Sequence, residues 1–163
     1  MNAGRDGAER CHLTNLREVK ELFGPGRQPG VSPEERFQRQ LEYEELISGL
    51  VDGRSPAVTF SRVMEHFGLS HKDLADELMC SDRTVHRWFG SRQDWPTLRS
   101  VLMFSVAFCF SMANCQKVLE SLNCCLCFDD RQFVEMLLRC YAGNAVEALP
   151  YLEKFSIRTT IYE

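Results

Sequence analysis

The side chains with the most to offer chemically fall between residues 71 and 99. In the run SDRTVHRWF, residues 81–89, Val85, Trp88 and Phe89 are the apolar positions, which leaves Asp82, Arg83, Thr84, His86 and Arg87 for another side. Arg83 and Arg87 stand one helical turn apart, with Thr84 and His86 flanking them. A guanidinium can donate to a phosphate or to a guanine edge, hydroxyls and imidazoles can serve either, and Asp82 can accept from cytosine N4 while discouraging phosphate approach. Ser81 opens the run, His71 lies at the start of the segment before it, and Arg92 and Arg99 add cations suited to clamping a phosphate backbone. Other chemistry is missing. No Walker, GxSxG, HExxH or GxGxxG pattern is present. The histidines, His12, His66, His71 and His86, are scattered, and the acidic pairs Glu34-Glu35 and Asp129-Asp130 sit where a helix start would favour negative charge for structural reasons. The sequence therefore predicts neither an enzyme nor a cofactor site.

These side chains need two short helices to position them. Ser70 can cap the first, and Asp73 three residues on completes something close to a capping box. Leu74, Ala75 and Leu78 form its apolar stripe, and the small Ala75 lets two steeply crossing helices approach. Met79 and Cys80 make the turn, and Ser81 caps the second helix.

The pattern Leu69-Ser70-x-x-x-Leu74-Ala75-x-x-Leu78-x-x-Ser81-x-x-Thr84-Val85-x-x-Trp88 resembles the helix-turn-helix of the Cro/CI-type (XRE) family of bacterial and phage DNA-binding regulators. The likeness continues through Pro96-Thr97-Leu98 and the apolar helix that follows, and covers roughly residues 57 to 122. It implies an all-α fold: a five-helix, lambda-repressor-like unit flanked by extra N- and C-terminal helices. It also implies a sequence-specific transcriptional regulator that reads the major groove of double-stranded DNA with helix 82–89. His71 takes the place where the family often has a glutamine contacting phosphate. The chain departs from the family after the Trp, with Phe89-Gly90-Ser91 in place of a Glu-Asn-Gly run, which bears on that loop and its phosphate contact.

Four segments follow from the rest of the pattern. Residues 1–31 are expected to be a flexible segment holding a short amphipathic helix over Leu13 to Phe23, ahead of the Gly/Pro-rich Gly24 to Gly30. Residues 32–54 should form an accessory helix started by Ser32-Pro33-Glu34-Glu35, with Phe37, Leu41, Ile47, Leu50 and Val51 as its stripe. Residues 55–122 carry the DNA-binding unit. In it Val58, Val63, Met64 and Phe67 face inward, Trp95 covers the core edge in preference to stacking near the DNA backbone, and the helix from Pro96 to about Phe108 is apolar on most sides. Such a helix needs covering on most sides, by the C-terminal extension or by a second subunit. Residues 123–163 form that extension: one helix from Asp129-Asp130, a second capped by Asn144 and kinked or stopped early by Pro150, and a tail that is one short strand or a loop.

Composition sets the remaining bounds. The 163 residues are 44% apolar and 26% charged, ordinary for a globular chain. The charged N-terminus is unlike a secretory signal, and the longest apolar run, Val101 to Phe110, is about half of the ~20 residues needed to span a bilayer. A cytoplasmic protein without membrane contact is expected. The eight cysteines then read as reduced thiols, with Cys109, Cys115 and Cys140 packing as small hydrophobes, and Cys124, Cys125 and Cys127 lack a second ligand pair for zinc. Net charge is −4, but residues 55–122 hold 7 basic and 7 acidic groups, so the DNA-binding segment is neutral. Since DNA affinity leans on phosphate neutralisation, one copy would bind weakly and a homodimer is expected. The rival is a protein-interaction module that keeps the fold but binds a protein partner, favoured by the neutral charge and by an aromatic-rich surface around Phe104, Phe108 and Phe110.

Overall fold

A computed structural model describes residues 12–26, 30–90, 95–154 and 159–161. The chain is mostly helical. A 3-10 turn at His12–Thr14 leads into α1 (Leu16–Phe23), followed by α2 (Pro33–Leu50), α3 (Pro56–Phe67), α4 (His71–Leu78), α5 (Asp82–Phe89), α6 (Leu98–Ala107) and α7 (Met112–Ser121). A strand β1 (Cys124–Leu126), α8 (Phe128–Cys140), α9 (Ala145–Lys154) and a strand β2 (Thr159–Ile161) complete it. The two strands pair antiparallel, Cys124 opposite Ile161 and Leu126 opposite Thr159. Of the two forms open to the tail, the strand is the one adopted, and its partner at Cys124–Leu126 carries no alternation that would have announced it.

Local chemistry sets the helix ends. Asn15, Ser32, Ser55, Ser70, Ser81, Thr97 and Ser111 each accept a hydrogen bond from an amide of the following first turn, and each such cap stabilises its helix by about 1 kcal/mol. Three helices close alike. The amides of Leu69, Cys80 and Phe110 reach back to the carbonyls of Met64, Ala75 and Ser105, while Gly68, Met79 and Cys109 between them turn left-handed. This is the Schellman arrangement, which satisfies carbonyls the helix leaves over.

One continuous apolar core runs from Leu13 to Leu152. An aromatic column threads it: Trp88 of α5 meets Phe60 edge-on at 5.5 Å, Phe60 stacks on Phe104 at 3.9 Å, and Phe104 stacks on Phe108 at 4.4 Å. Phe67 and Tyr43 extend the column to Phe23 of α1. Each such pair adds about 0.5–1.5 kcal/mol beyond the area it buries. The Tyr43 hydroxyl donates to the Phe108 carbonyl, so the phenol is buried with a partner. The buried polar groups are also satisfied: Thr59 accepts from the Asp52 amide, Ser105 donates to the Val101 carbonyl, and Asn114 donates to the Glu44 carbonyl while accepting from Ser48.

Every residue from Val101 to Phe110 is buried. α9, α4, α7 and α8 all pack on α6, so the C-terminal extension supplies the cover its apolar surface demanded. Phe104, Phe108 and Phe110 are 0%, 0% and 3% exposed, which removes the aromatic surface expected there.

Five other expectations are corrected. Phe37 and Leu41 are exposed, and α2 instead buries Tyr43 and Ile47. The reason is polar: Arg36 and Gln40 donate to the Leu22 carbonyl, and Arg36 also to those of Gly24 and Gly26, capping the end of α1. That contact rotates the start of α2 so that its apolar pair faces outward. Val58 is likewise exposed. Trp95 is 54% exposed and covers no core edge, and Cys140 at the end of α8 is exposed rather than packed. Pro150 is carried inside α9 on its exposed side, and the helix continues to Lys154. Among the described residues no helix is long and apolar enough to cross a membrane.

Candidate nucleic-acid interface

The site rests on α4 and α5, two eight-residue helices joined by Met79–Ser81. The capping box at the start of α4 is complete: Ser70 accepts from the Asp73 amide at 3.1 Å, and the Asp73 carboxylate accepts from the Ser70 amide at 2.9 Å. The Ser70 amide first, and then hydrogen bonding of the Ser70 hydroxyl to the carboxylate, hold the Asp73 carboxyl below the usual range. Leu74, Ala75 and Leu78 are buried against the core, as their spacing predicts.

α5 is anchored by Val85 and Trp88, both buried, with Phe89 half-buried beside them. Opposite that anchor, Arg83, His86 and Arg87 are all exposed and span an arc about 100° wide centred on Arg83. Among the described residues neither guanidinium makes an ion pair. Asp82 is exposed at the first position of the helix, where its charge suits the helix dipole. Its charge also adds to partial burial in pushing the Cys80 thiol up.

The remaining expected residues divide in four. Ser81 and Thr84 come together: the Ser81 hydroxyl accepts from the Thr84 amide at 3.2 Å and shares a hydrogen bond with the Thr84 hydroxyl at 2.9 Å, so most of its capacity serves the cap. His71 and His86 also meet, Nδ1 to Nδ1 at 3.0 Å, with the rings at 77°. The His71 ring stacks on Phe89, 5.1 Å between centroids. Arg99, on α6, forms a 2.9 Å ion pair with Glu153 of α9. Arg92 lies outside the described residues.

The histidine contact and the part of Phe89 in it were not visible in the sequence. Fifteen residues separate the two histidines, and no local period links them. The one available signal was that both belong to the same two-helix unit, one at its start and one near its end. Nor do the described residues bring together three His, Cys, Asp or Glu side chains that could hold a metal ion. No family model, curated protein or solved structure matches the chain.

Proposed function

We propose that this chain is a sequence-specific DNA-binding regulator of the Cro/CI type, with α4 and α5 as its helix-turn-helix and α5 as the element that enters the major groove. The observation that carries this reading is the face of α5: Arg83, His86 and Arg87 exposed together, free of ion pairs among the described residues, directly opposite a buried Val85–Trp88 anchor. A helix held rigidly by one side and offering forked donors on the other is suited to base edges and phosphates. Asp82 and Thr84 add an acceptor and a hydroxyl for discrimination between bases. The burial of Phe104, Phe108 and Phe110 takes away the main support for a protein-interaction module. Two copies related by a two-fold axis would set their α5 helices about one DNA turn, ~34 Å, apart and double a modest number of phosphate contacts.

The test is fluorescence anisotropy of random duplex DNA against rising salt, followed by selection from a randomised pool. The expected result is binding that weakens linearly in log–log form, and a selected two-fold-symmetric site. Arg83→Ala with Arg87→Ala should lower affinity and reduce the salt slope by about one for each phosphate contact removed. An absence of binding at low salt, or affinity indifferent to the double substitution, would overturn the proposal.

A further inference from the structure

We infer that the outward face of α2 is a docking surface for a basic amphipathic helix of another protein. The surface lies on a different helix from α5, and its occupation is independent of what α5 contacts. Glu34, Phe37, Gln38, Leu41 and Glu45 are all exposed and fall within an arc about 100° wide, opposite the buried Tyr43 and Ile47. Phe37 is 60% and Leu41 43% exposed. They stand one helical turn apart, with Glu34 one turn before and Glu45 one turn after. An apolar pair is thus bracketed by two carboxylates along about 16 Å of helix.

The rotation of α2 that presents this face is fixed from both sides. Arg36 and Gln40 donate to the Leu22 carbonyl, and Arg36 also to those of Gly24 and Gly26. Tyr43 on the other side meets Phe23 edge-on at 5.5 Å. α2 therefore cannot roll Phe37 and Leu41 inward without leaving those carbonyls unpaired and withdrawing Tyr43 from the core. The same bonds remove charge from the surface. Arg36 is turned to the carbonyls and Arg39 is paired with Glu35 at 3.5 Å, so both guanidinium groups of α2 are engaged. Glu34 and Glu45 have no ion pair among the described residues.

Charge selects the occupant. Apolar residues along a seam draw two helices together, and the charged residues beside them choose the partner. A second copy is opposed, since two α2 helices side by side set Glu34 against Glu34 when parallel and near Glu45 when antiparallel, and facing like charges are unfavourable. The same acids repel a phosphate backbone. Residues 1–11 do not supply the complement either: Arg5 and Arg10 are balanced by Asp6 and Glu9, and Met1 is their one large apolar side chain. The complement is a helix with two large apolar residues one turn apart and a lysine or arginine one turn beyond each.

The test titrates the full chain, labelled for NMR, with a synthetic helical peptide of alanine and glutamine. The peptide carries two leucines one turn apart and a lysine one turn beyond each, and a control peptide has glutamates for the lysines. The lysine peptide should shift the amide signals of residues 34–45 and bind less well as salt rises, and the glutamate peptide should do neither. Phe37→Ala with Leu41→Ala should weaken the lysine peptide about tenfold or more without lowering the melting temperature, because both side chains are exposed. Glu34→Gln with Glu45→Gln should abolish the preference for lysines. Equal binding of the two peptides, shifts centred on another helix, or no shift at millimolar peptide would overturn the inference. So would self-association of the chain that Phe37→Ala with Leu41→Ala removes, since the occupant would then be a second copy.

Discussion

Lys20 on α1 and Glu77 on α4 meet at 2.6 Å, with their side chains only 29% and 26% exposed, so the N-terminal helix is tied by charge to the first helix of the candidate interface. Lys20 is also held from behind. Gly143, at φ 78°, lies so close that a Cβ on it would come within 2.8 Å of the Lys20 Cγ. Replacing Lys20 by Met keeps the stem and removes the charge, leaving Glu77 part-buried and unpaired. We expect a loss of about 1–2 kcal/mol in urea unfolding, a surface pair's worth raised by partial burial. Adding Glu77→Gln should recover part of that loss. An unchanged unfolding midpoint in the single variant would show that solvent screens the pair.

Met79 gives a prediction of opposite sign. It occupies a left-handed conformation at φ 55° at the end of α4, and its side chain is 45% exposed. A Cβ is costly there and the side chain contributes little packing, so Met79→Gly should stabilise the protein by about 0.5–1 kcal/mol. A fall in melting temperature would mean that the Met79 side chain packs better than its exposure suggests.

Asp73 makes stability depend on pH. Its carboxyl is held low in the folded state by the Ser70 amide and hydroxyl, so its contribution is complete above the ordinary carboxylate value of ~4 and is lost as pH falls through the lowered one. Asp73→Asn should be less stable than the parent at neutral pH, with the difference shrinking under acid conditions. A gap that stays constant with pH would place the effect of the substitution elsewhere than in the charge.

The thiols should divide by burial. Burial pushes Cys109 up to about 12 and Cys115 up to about 11, so neither offers a thiolate near neutrality. Cys127 and Cys140 are exposed. Brief treatment of the folded protein with a thiol reagent, read by mass spectrometry, should mark Cys127 and Cys140 and spare Cys109 and Cys115 until denaturant is added. Early labelling of Cys115 would point to opening around α7.

The helical elements and their starts were legible because they depend on local chemistry. Serines and threonines three residues ahead of a free amide cap whatever the fold, and Ser70, Ser81 and Ser111 do so here. Faces were less legible where a long-range polar contact competes with an apolar stripe. Phe37 and Leu41 lost their expected burial because Arg36 and Gln40 are needed by carbonyls at residues 22–26. The β1–β2 pairing was hidden for a similar reason, since it joins three-residue segments more than thirty residues apart. Within the site, the exposed arc of Arg83, His86 and Arg87 follows from the helical period, whereas the approach of His71 to His86 depends on how two helices cross.

The complete enclosure of residues 101–110 has a consequence for genetic variation. Within it Ser105 is the one polar side chain, and its hydroxyl is satisfied by the Val101 carbonyl; a charged residue can be admitted cheaply at no position there, since an unpaired buried charge costs several kcal/mol. A saturation scan for folded protein would record those ten codons as an unbroken block of intolerance. Over α5 the same scan would give a pulse with each helical turn, closed at Val85 and Trp88 and open at Arg83 and Arg87. The chain can thus diversify what it contacts through α5 while residues 101–110 stay fixed in their inheritance.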